Sequence, residues 1–254
     1  MSERLDAYLA HRGYGTRSES RNLIRSGRVR LGGRVCRDPG RHVDGPVQVN
    51  GQVVEDGPDS ATLLVHKPLG LACSHDPAEA PLLEELYPEN LRHLGIEPAG
   101  RLDRATTGLL ICTTDGALIH RLTNPRRHIV KRYRIRYIGT LSARAIERVA
   151  KGLALVDDDR PALPAVLELP SAGLATLHLR EGRHHQVRRM IQELGGEVVE
   201  LHRDRIGSLN LPADLPAGAV RDLTDADRKQ LVEEPADMAE AWAALDHDRG
   251  QLTE

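Results

Sequence analysis

The chain has 254 residues, of which 40% are hydrophobic and 28% charged, and its formal net charge is -2. This balance is typical of a globular protein with one large domain or two smaller ones. No apolar run reaches the roughly 18 residues of a transmembrane helix, and the start MSERLDAYLA predicts no signal sequence. The three cysteines are odd in number and far apart, which favours neither a disulfide framework nor a zinc ribbon, so we expect a cytoplasmic protein.

The charges are unevenly distributed along the chain. Residues 1–45 carry ten arginines against five acids, a net +5, whereas residues 222–254 carry ten acids against three basic residues, a net -7. The basic head indicates a polyanionic partner. The acidic C-terminal tail, residues 233–254, is expected to be a solvated or loosely helical appendage. Phenylalanine is absent, which argues against RNA modules that stack bases on an aromatic sheet face.

The first residues predict two short helices followed by a hairpin. In LDAYL, apolar residues recur at helical spacing. Thr16 and Glu19 fit a capping box at the start of a second helix, which we expect to reach about Ser26 and to stop at Gly27. RVRLGGRV then predicts a β-hairpin with a glycine turn at Gly32 and its neighbour.

Arginines of the second helix and the hairpin are predicted to form one phosphate-binding surface, made of Arg17, Arg21, Arg25, Arg28 and Arg30. A merely solvated basic helix would carry the same charges. The segment TRSESRNLIRSGRVRLGGRV, however, resembles the S-four-type RNA-binding domain, named after a ribosomal small-subunit protein, and this resemblance implies RNA binding. The polar, turn-rich EDGPDS predicts a domain boundary near residue 58.

Polar motifs flank the apolar strands in the middle of the chain. The strand predicted at Ala61–Val65 ends in HKPLG, a proline turn. The segment AGRLDRATTGLLICTTDG places Asp103 between two arginines, directly before the apolar run Leu109–Cys112, which we predict to be a buried strand. An acid in this place is either a surface-turn residue or a catalytic carboxylate held at the edge of a core.

Two further motifs are predicted to be a basic strand and an amphipathic helix. RRHIVKRYRIRY alternates from Val130 onward, with arginines on one face and on the other Lys131, Tyr133, Ile135 and Tyr137. EGRHHQVRRM opens a helix with an apolar stripe formed by Val187, Met190, Ile191 and Leu194. The adjacent His184 and His185 are not spaced to bind one metal ion, so no metal site is predicted.

Five segments in this order resemble the motifs of the ribosomal small-subunit family of pseudouridine synthases: KPLG, GRLDRATTGLLICTTDG, KRYRIRY, EGRHHQVRRM and ELHRDRIGSL. The resemblance implies an α+β fold. A small N-terminal S-four-type domain, residues 1–58, would precede a catalytic domain, residues 60–232, with a mainly antiparallel mixed sheet flanked by helices. The implied reaction isomerises a uridine of rRNA to pseudouridine, with no cofactor and no metal.

The resemblance also assigns roles to particular residues. Asp103 is the essential carboxylate, which attacks the anomeric carbon of the sugar or abstracts a sugar proton. Tyr133 stacks on the target uracil, and Arg101 helps to hold the displaced base. Arg188 lies on the flank of the helix stripe, where the family has its active-site basic residue, and is expected to keep Asp103 ionised. Contacts to RNA or the pocket, or else structural hydrogen bonds, are expected of Lys67, Arg183, Gln186 and Arg205.

The run HHQV and the closing ELHRDRIG resemble the small-subunit enzymes more closely than the large-subunit ones. This implies uridine 516 of 16S rRNA, in the usual bacterial numbering, as the target. The expected partner is small-subunit rRNA or a ribosome assembly intermediate, with no membrane, and the expected state is a monomer. Three alternatives stay open: a 23S rRNA target, a non-catalytic RNA-binding assembly factor, and a glycosidase-like enzyme, which would need a second carboxylate. Asp115 is expected to lie too far from Asp103 for that role.

Overall fold

A computed structural model describes residues 3–54, 60–156, 158–243 and 245. The chain divides into a first unit, residues 1–61 with 87–96, and a second unit, residues 62–86 with 97–254. The predicted boundary near residue 58 falls among residues 55–59, which lie outside the described ranges. Within those ranges no helix is long and apolar enough to cross a membrane, and no three potential metal ligands cluster.

The first unit packs two helices on a four-stranded antiparallel sheet. The helices are α1 (Leu5–His11) and α2 (Arg17–Arg25), and the strands are β1 (Val29–Leu31), β2 (Arg34–Val35), β3 (Val47–Val49) and β4 (Gln52–Val53). The strand order is β2-β1-β3-β4. The predicted capping box is confirmed, since the Thr16 side chain accepts from the Glu19 amide and the Glu19 side chain accepts from the Thr16 amide. The predicted hairpin is confirmed as β1 and β2.

The second unit is built on a nine-stranded sheet. Its strands are β5 (Thr62–Lys67), β6 (Glu97–Pro98), β7 (Thr107–Thr113), β8 (Lys131–Gly139), β9 (Val166–Ser171), β10 (Leu174–Leu179), β11 (Gly196–Ile206), β12 (Leu209–Asn210) and β13 (Val220–Asp222). The main path runs β13-β5-β7-β11-β8-β10-β9, with β6 on β7 and β12 on β11. Its helices are α3 (Gly116–Thr123), α4 (Ala145–Lys151), α5 (Gln186–Glu193) and α6 (Asp225–Gln230). Neighbouring strands are antiparallel except β7 and β11, which confirms the expected mainly antiparallel sheet.

The apolar patterns read from the sequence match the burial of the side chains. In β8, Tyr133 and Ile135 are buried while Arg134 and Arg136 are exposed, as the alternation predicted. The stripe of α5 is fully buried. β7 is buried along almost its whole length because both neighbours on the sheet path and α3 cover it.

β7 and β11 approach each other very closely at Gly108. Its φ is +114°, and a Cβ at this position would lie 2.1 Å from the carbonyl oxygen of Arg203. Only glycine fits this backbone geometry and this contact. The parallel pairing of His202 with Thr107 and of Arg203 with Gly108 therefore depends on a residue without a side chain.

The C-terminal tail is packed on the second unit rather than solvated. Trp242 is only 1% exposed and packs with Val130 and Met238, and the guanidinium of Arg180 lies 4.2 Å from the centroid of its ring system. Asp237 accepts from Arg205 at 2.8 Å. The expectation of a loose appendage is wrong for residues 233–243 and 245, because a tryptophan supplies enough apolar area to anchor them. Residues 246–254 lie outside the described ranges.

Replacing Trp242 should measure how strongly the tail is held. We expect Trp242→Ala to lower the free energy of unfolding by about 3–5 kcal/mol, the usual cost of removing a buried aromatic side chain. Urea titration followed by far-ultraviolet circular dichroism gives the value. Ile146→Ala, at a half-exposed position on α4, is the control and should stay within about 0.5 kcal/mol of the wild type. Equal stability of both variants would contradict the packed tail.

Candidate active site

A cavity of about 130 Å³ opens where the segment before β7 meets β8, β11 and the start of α5. We call it the Asp103 cavity. The residues that line it include five predicted from the sequence, namely Arg101, Asp103, Tyr133, Arg183 and Gln186. Three further polar residues around it were not predicted to be functional: Lys131, His185 and Arg203.

The loop that carries Asp103 is fixed by two cations reaching its backbone. Lys67 is completely buried, and its Nζ donates to the carbonyls of Pro68 at 3.1 Å, Thr106 at 2.9 Å and Arg104 at 3.5 Å. Burial lowers the pKa of Lys67, and the negative charge of Asp103 opposes that shift. The Nη2 of Arg188 donates to the carbonyl of Ala105 at 2.9 Å. Backbone carbonyls on both sides of Thr106 are thus held by charged donors, which are stronger than neutral ones.

The two arginines beside Asp103 have different environments. Arg104 turns away from the cavity and donates to the carbonyls of Gly70 at 2.9 Å and Ala80 at 2.6 Å. Arg101 is exposed and lines the cavity. One arginine therefore anchors the loop to the preceding segment, and the other remains available to a ligand.

Asp103 is about one-third exposed, and its ion pair within the described part of the chain is with His185, whose Nε2 lies 3.4 Å from Oδ1. His185 stands at the N-terminus of α5 with a φ of +50°, and its ring stacks on that of His184. A non-glycine residue in this conformation is uncommon and is often found at functional sites. The expected direct ion pair between Arg188 and Asp103 does not occur among the described contacts, because Arg188 binds backbone carbonyls instead.

A β-bulge in β11 brings Arg203 to the cavity. Arg203 pairs with Tyr133 across the sheet and Arg205 pairs with Arg132, so the register shifts by one residue between them. Arg203 therefore shares the Tyr133 face, and its Nη1 lies 3.5 Å from the Tyr133 hydroxyl. Uninterrupted alternation would place Arg203 and Arg205 on the same face. The bulge has no clear signature in ELHRDRIG, so the sequence could not show which arginine reaches the site.

Two buried polar atoms beside the cavity have no hydrogen-bond partner within the described ranges, Arg203 Nη2 and Thr106 Oγ1. Both residues line the cavity, and Arg203 is 2% exposed. Buried polar groups without partners are rare in folded proteins and each calls for an explanation. Lys131 is also buried here, and desolvation together with the charge of Arg203 lowers its pKa to about 8. The cavity thus holds an excess of hydrogen-bond donors around one carboxylate.

Three other predicted contacts are committed to the protein itself. Gln186 is buried, and its amide donates to Glu181 at 2.7 Å and accepts from the Arg183 backbone at 2.9 Å. Arg183 binds Glu181 and Asp158. Arg205 is bound to Asp237, and it does not line the cavity. For these residues and for Lys67, the structure favours the structural alternative over direct RNA contact.

In the first unit, a buried acid organises part of the predicted basic surface. Asp6 has no exposed surface and accepts from Arg4 at 3.2 Å and from Arg21 at 2.9 Å, with Arg17 also beside it. Burial opposes ionisation of Asp6, but the hydrogen bonds from these arginines hold its pKa well below the usual range. The remaining arginines of the predicted surface are exposed: Arg25, Arg28 and Arg30.

Comparison with known families gives two matches. A model described as "RNA pseudouridylate synthase" matches residues 61–193, and a model described as "S4 domain" matches residues 3–46. The first match covers the Asp103 cavity up to α5, and the second covers both helices and the first hairpin of the first unit.

Similar proteins extend over nearly the whole chain. A protein of Pseudomonas aeruginosa named ribosomal small subunit pseudouridine synthase A is 36% identical over 87% of this chain and 96% of its own length. A protein of the same name from Escherichia coli K12 is 34% identical over 90% of this chain and its full length. A solved structure described as a pseudouridylate synthase superposes with a TM-score of 0.64 at 31% identity, covering 91% of this chain and 100% of that one.

The buried Lys131 should make stability depend on pH. Because its folded-state pKa of about 8 lies below the ordinary value of 10.5, the unfolded chain binds more protons between these values, and the wild type gains stability as pH rises through that window. Lys131→Met removes this dependence. We therefore expect the stability of the variant relative to the wild type to decrease from pH 8 to pH 10.5 in urea titrations. A constant difference across this range would contradict the burial of a titrating lysine.

Proposed function

The chain belongs to the RNA pseudouridine synthases, a family of isomerases, and we propose that it converts one uridine of small-subunit rRNA to pseudouridine in the Asp103 cavity. The observation that carries this proposal is the setting of Asp103. It is the one acid among the described residues that line the cavity, and it faces Tyr133 and Arg203. A single carboxylate with several donors fits an isomerisation that adds and removes no group.

In the proposed reaction, the bond between the anomeric carbon and uracil nitrogen 1 breaks. Uracil turns, and its carbon 5 bonds to the same sugar carbon. The hydrogen on carbon 5 is lost and nitrogen 1 gains one, so the atoms balance without a co-reactant. Asp103 acts at the sugar, by attack on the anomeric carbon or by abstraction of a sugar proton. Both routes need the ionised carboxylate, which the nearby cations favour.

The other residues of the cavity have complementary roles in this proposal. Tyr133 packs on the uracil ring from the wall formed by β8. Arg101, exposed at the rim, fills the space that the flipped nucleotide leaves, which offsets part of the few kcal/mol that flipping costs. Lys67 and Arg188 are positioning residues, because both bind carbonyls of the loop that carries Asp103. A misplacement of about 1 Å can cost a factor of about 100 in rate.

The glycosidase alternative lacks its second acid. Asp115 caps the N-terminus of α3, where Oδ1 accepts from the amides of Ala117 at 2.9 Å and Leu118 at 3.1 Å. It does not line the Asp103 cavity. A retaining or inverting glycosidase needs a pair of carboxyl groups flanking the scissile bond, and the described residues around Asp103 offer one.

The substrate class rests on the relatives. Those of Pseudomonas aeruginosa and Escherichia coli are named for the small ribosomal subunit, and the match covers almost their full lengths. We propose 16S rRNA, at uridine 516, as the target, free or in an assembly intermediate, and a monomeric enzyme that acts in the cytoplasm. The exposed arginines of the first unit, Arg25, Arg28 and Arg30, supply charge for the phosphate backbone.

Replacing the carboxylate separates catalysis from binding. We expect Asp103→Asn to reduce pseudouridine formation on the order of 10³-fold or more, because the amide neither attacks the sugar nor accepts its proton. RNA affinity, measured by filter binding, should change less than about 2-fold, since the shape of the side chain is kept. Asp115→Asn is the matched control and should retain full activity. Normal turnover by Asp103→Asn would overturn the role of this residue.

The target is found in a strain that lacks this gene. Pseudouridines in 16S and 23S rRNA are mapped by carbodiimide modification and primer extension. We expect the stop at uridine 516 of 16S rRNA to disappear, and to return when the wild-type gene, but not the Asp103→Asn gene, is supplied. Loss of a 23S stop with the 16S stop intact would replace the proposed target. Loss of neither, together with rRNA binding, would favour a non-catalytic assembly factor.

A further inference from the structure

The second unit has another, much larger cavity, which the proposed reaction does not use. We call it the side cavity. Its volume is about 1010 Å³, at the upper end of the roughly 300–1,000 Å³ typical of ligand pockets. It lies between the turn Pro125–Arg127, the helix α4, the loop 160–164 and Leu245 of the tail.

The cations of the side cavity are free and its acids are not. Arg126, His128 and Arg160 are exposed, and their side chains form no hydrogen bond or ion pair with another described residue. Glu147 is paired with Lys151, while Glu181 accepts from Arg183 and Gln186 and from the amide of Leu163. The available charge in the cavity is therefore positive, because the negative charges are already neutralised by close partners.

The floor of the side cavity is apolar, formed by proline rings and aliphatic side chains: Pro125, Pro161, Ala162, Leu163, Pro164 and Leu245. Flat apolar surfaces bordered by free cations suit a ligand with apolar ring faces and a negatively charged backbone. Single-stranded nucleic acid has both properties. An acidic peptide would satisfy the cations but would leave the floor uncovered unless it also carried apolar side chains.

The side cavity is continuous with the Asp103 cavity through one residue. Arg183 lines both. Its guanidinium binds Glu181 and Asp158 and donates to the carbonyls of Arg160 and Pro161, both at 2.7 Å. Arg183 is thus a strut that fixes the loop 160–164 beside the active site rather than a ligand-binding group. A strand whose uridine enters the Asp103 cavity has a neighbouring cavity to continue into.

We propose that the side cavity binds a single-stranded RNA segment that flanks the target uridine, with Arg126 and Arg160 on its phosphates and its bases on the proline floor. This inference rests on the proposed function for the identity of the strand, but the binding itself is independent of the chemistry. The basic cluster at residues 126–128, which the reaction leaves without a role, acquires one as a contact for RNA.

The test compares two double variants that remove the same charge. One is Arg126→Gln with Arg160→Gln. The control is Arg144→Gln with Lys229→Gln, two exposed positions that do not line either cavity. Binding of a labelled oligouridylate of about 12 nucleotides, within the range of known single-strand sites, is measured by fluorescence anisotropy across a series of salt concentrations.

We expect the side-cavity variant to bind about 5–10-fold more weakly at low salt. Its plot of log affinity against log salt should flatten by about 1.4, or 0.7 for each lost phosphate contact on a single strand. On rRNA the same variant should raise KM and leave kcat unchanged, because the contact is made equally in the ground and transition states. The control variant should stay close to the wild type in all three measurements.

The outcomes also separate the two proposals. Equal binding by the side-cavity and control variants would overturn the RNA contact. Unchanged oligouridylate binding with a loss of polyglutamate binding would overturn it as well, in favour of an acidic protein partner. Weakened oligouridylate binding in a protein that forms no pseudouridine in any rRNA would support the RNA contact and overturn the proposed function alone.

Discussion

The buried ammonium of Lys67 is the constraint on which the geometry of the site depends. It ends β5, has no exposed surface, and donates to carbonyls of the segment that carries Asp103. A buried charge is costly unless it is fully hydrogen-bonded, so the backbone around Arg104 and Thr106 must keep its carbonyls turned toward it. Arg104 and Arg188 hold the same loop from its other sides. The catalytic acid is left partly exposed at the edge of a rigid, charge-bound loop.

A second constraint joins this loop to the far end of the chain. Gly108 lets the backbone of β11 approach β7 more closely than any side chain would permit. The following bulge then separates the faces of Arg203 and Arg205. One arginine reaches the wall of the Asp103 cavity, and the other reaches Asp237 in the tail. The tail is thereby fixed by the same strand that supplies the donor side of the site.

Throughout the molecule, acids determine which arginines remain free for a polyanion. Asp6 binds Arg4 and Arg21 in the first unit, and Asp204 binds Arg132 and Arg134 on the exposed face of β8. Both acids are shielded, and hydrogen bonds from the arginines hold their pKa values down. The near-zero net charge thus conceals local positive surfaces, because the negative charge is spent in internal pairs and in the tail.

The sequence by itself determined the elements and the main chemistry. Helical spacing, the Thr16 capping box, the alternation of β8 and the stripe of α5 follow from local rules, and the order of motifs identified the family and Asp103 as the candidate acid. Tertiary structure alone decided which polar side chains meet. Burial committed Lys67 and Gln186 to the protein, a bulge placed Arg203 rather than Arg205 at the cavity, and Trp242 packed a tail that charge alone suggested was solvated. These outcomes depend on contacts between residues distant in sequence, which composition and periodicity do not encode.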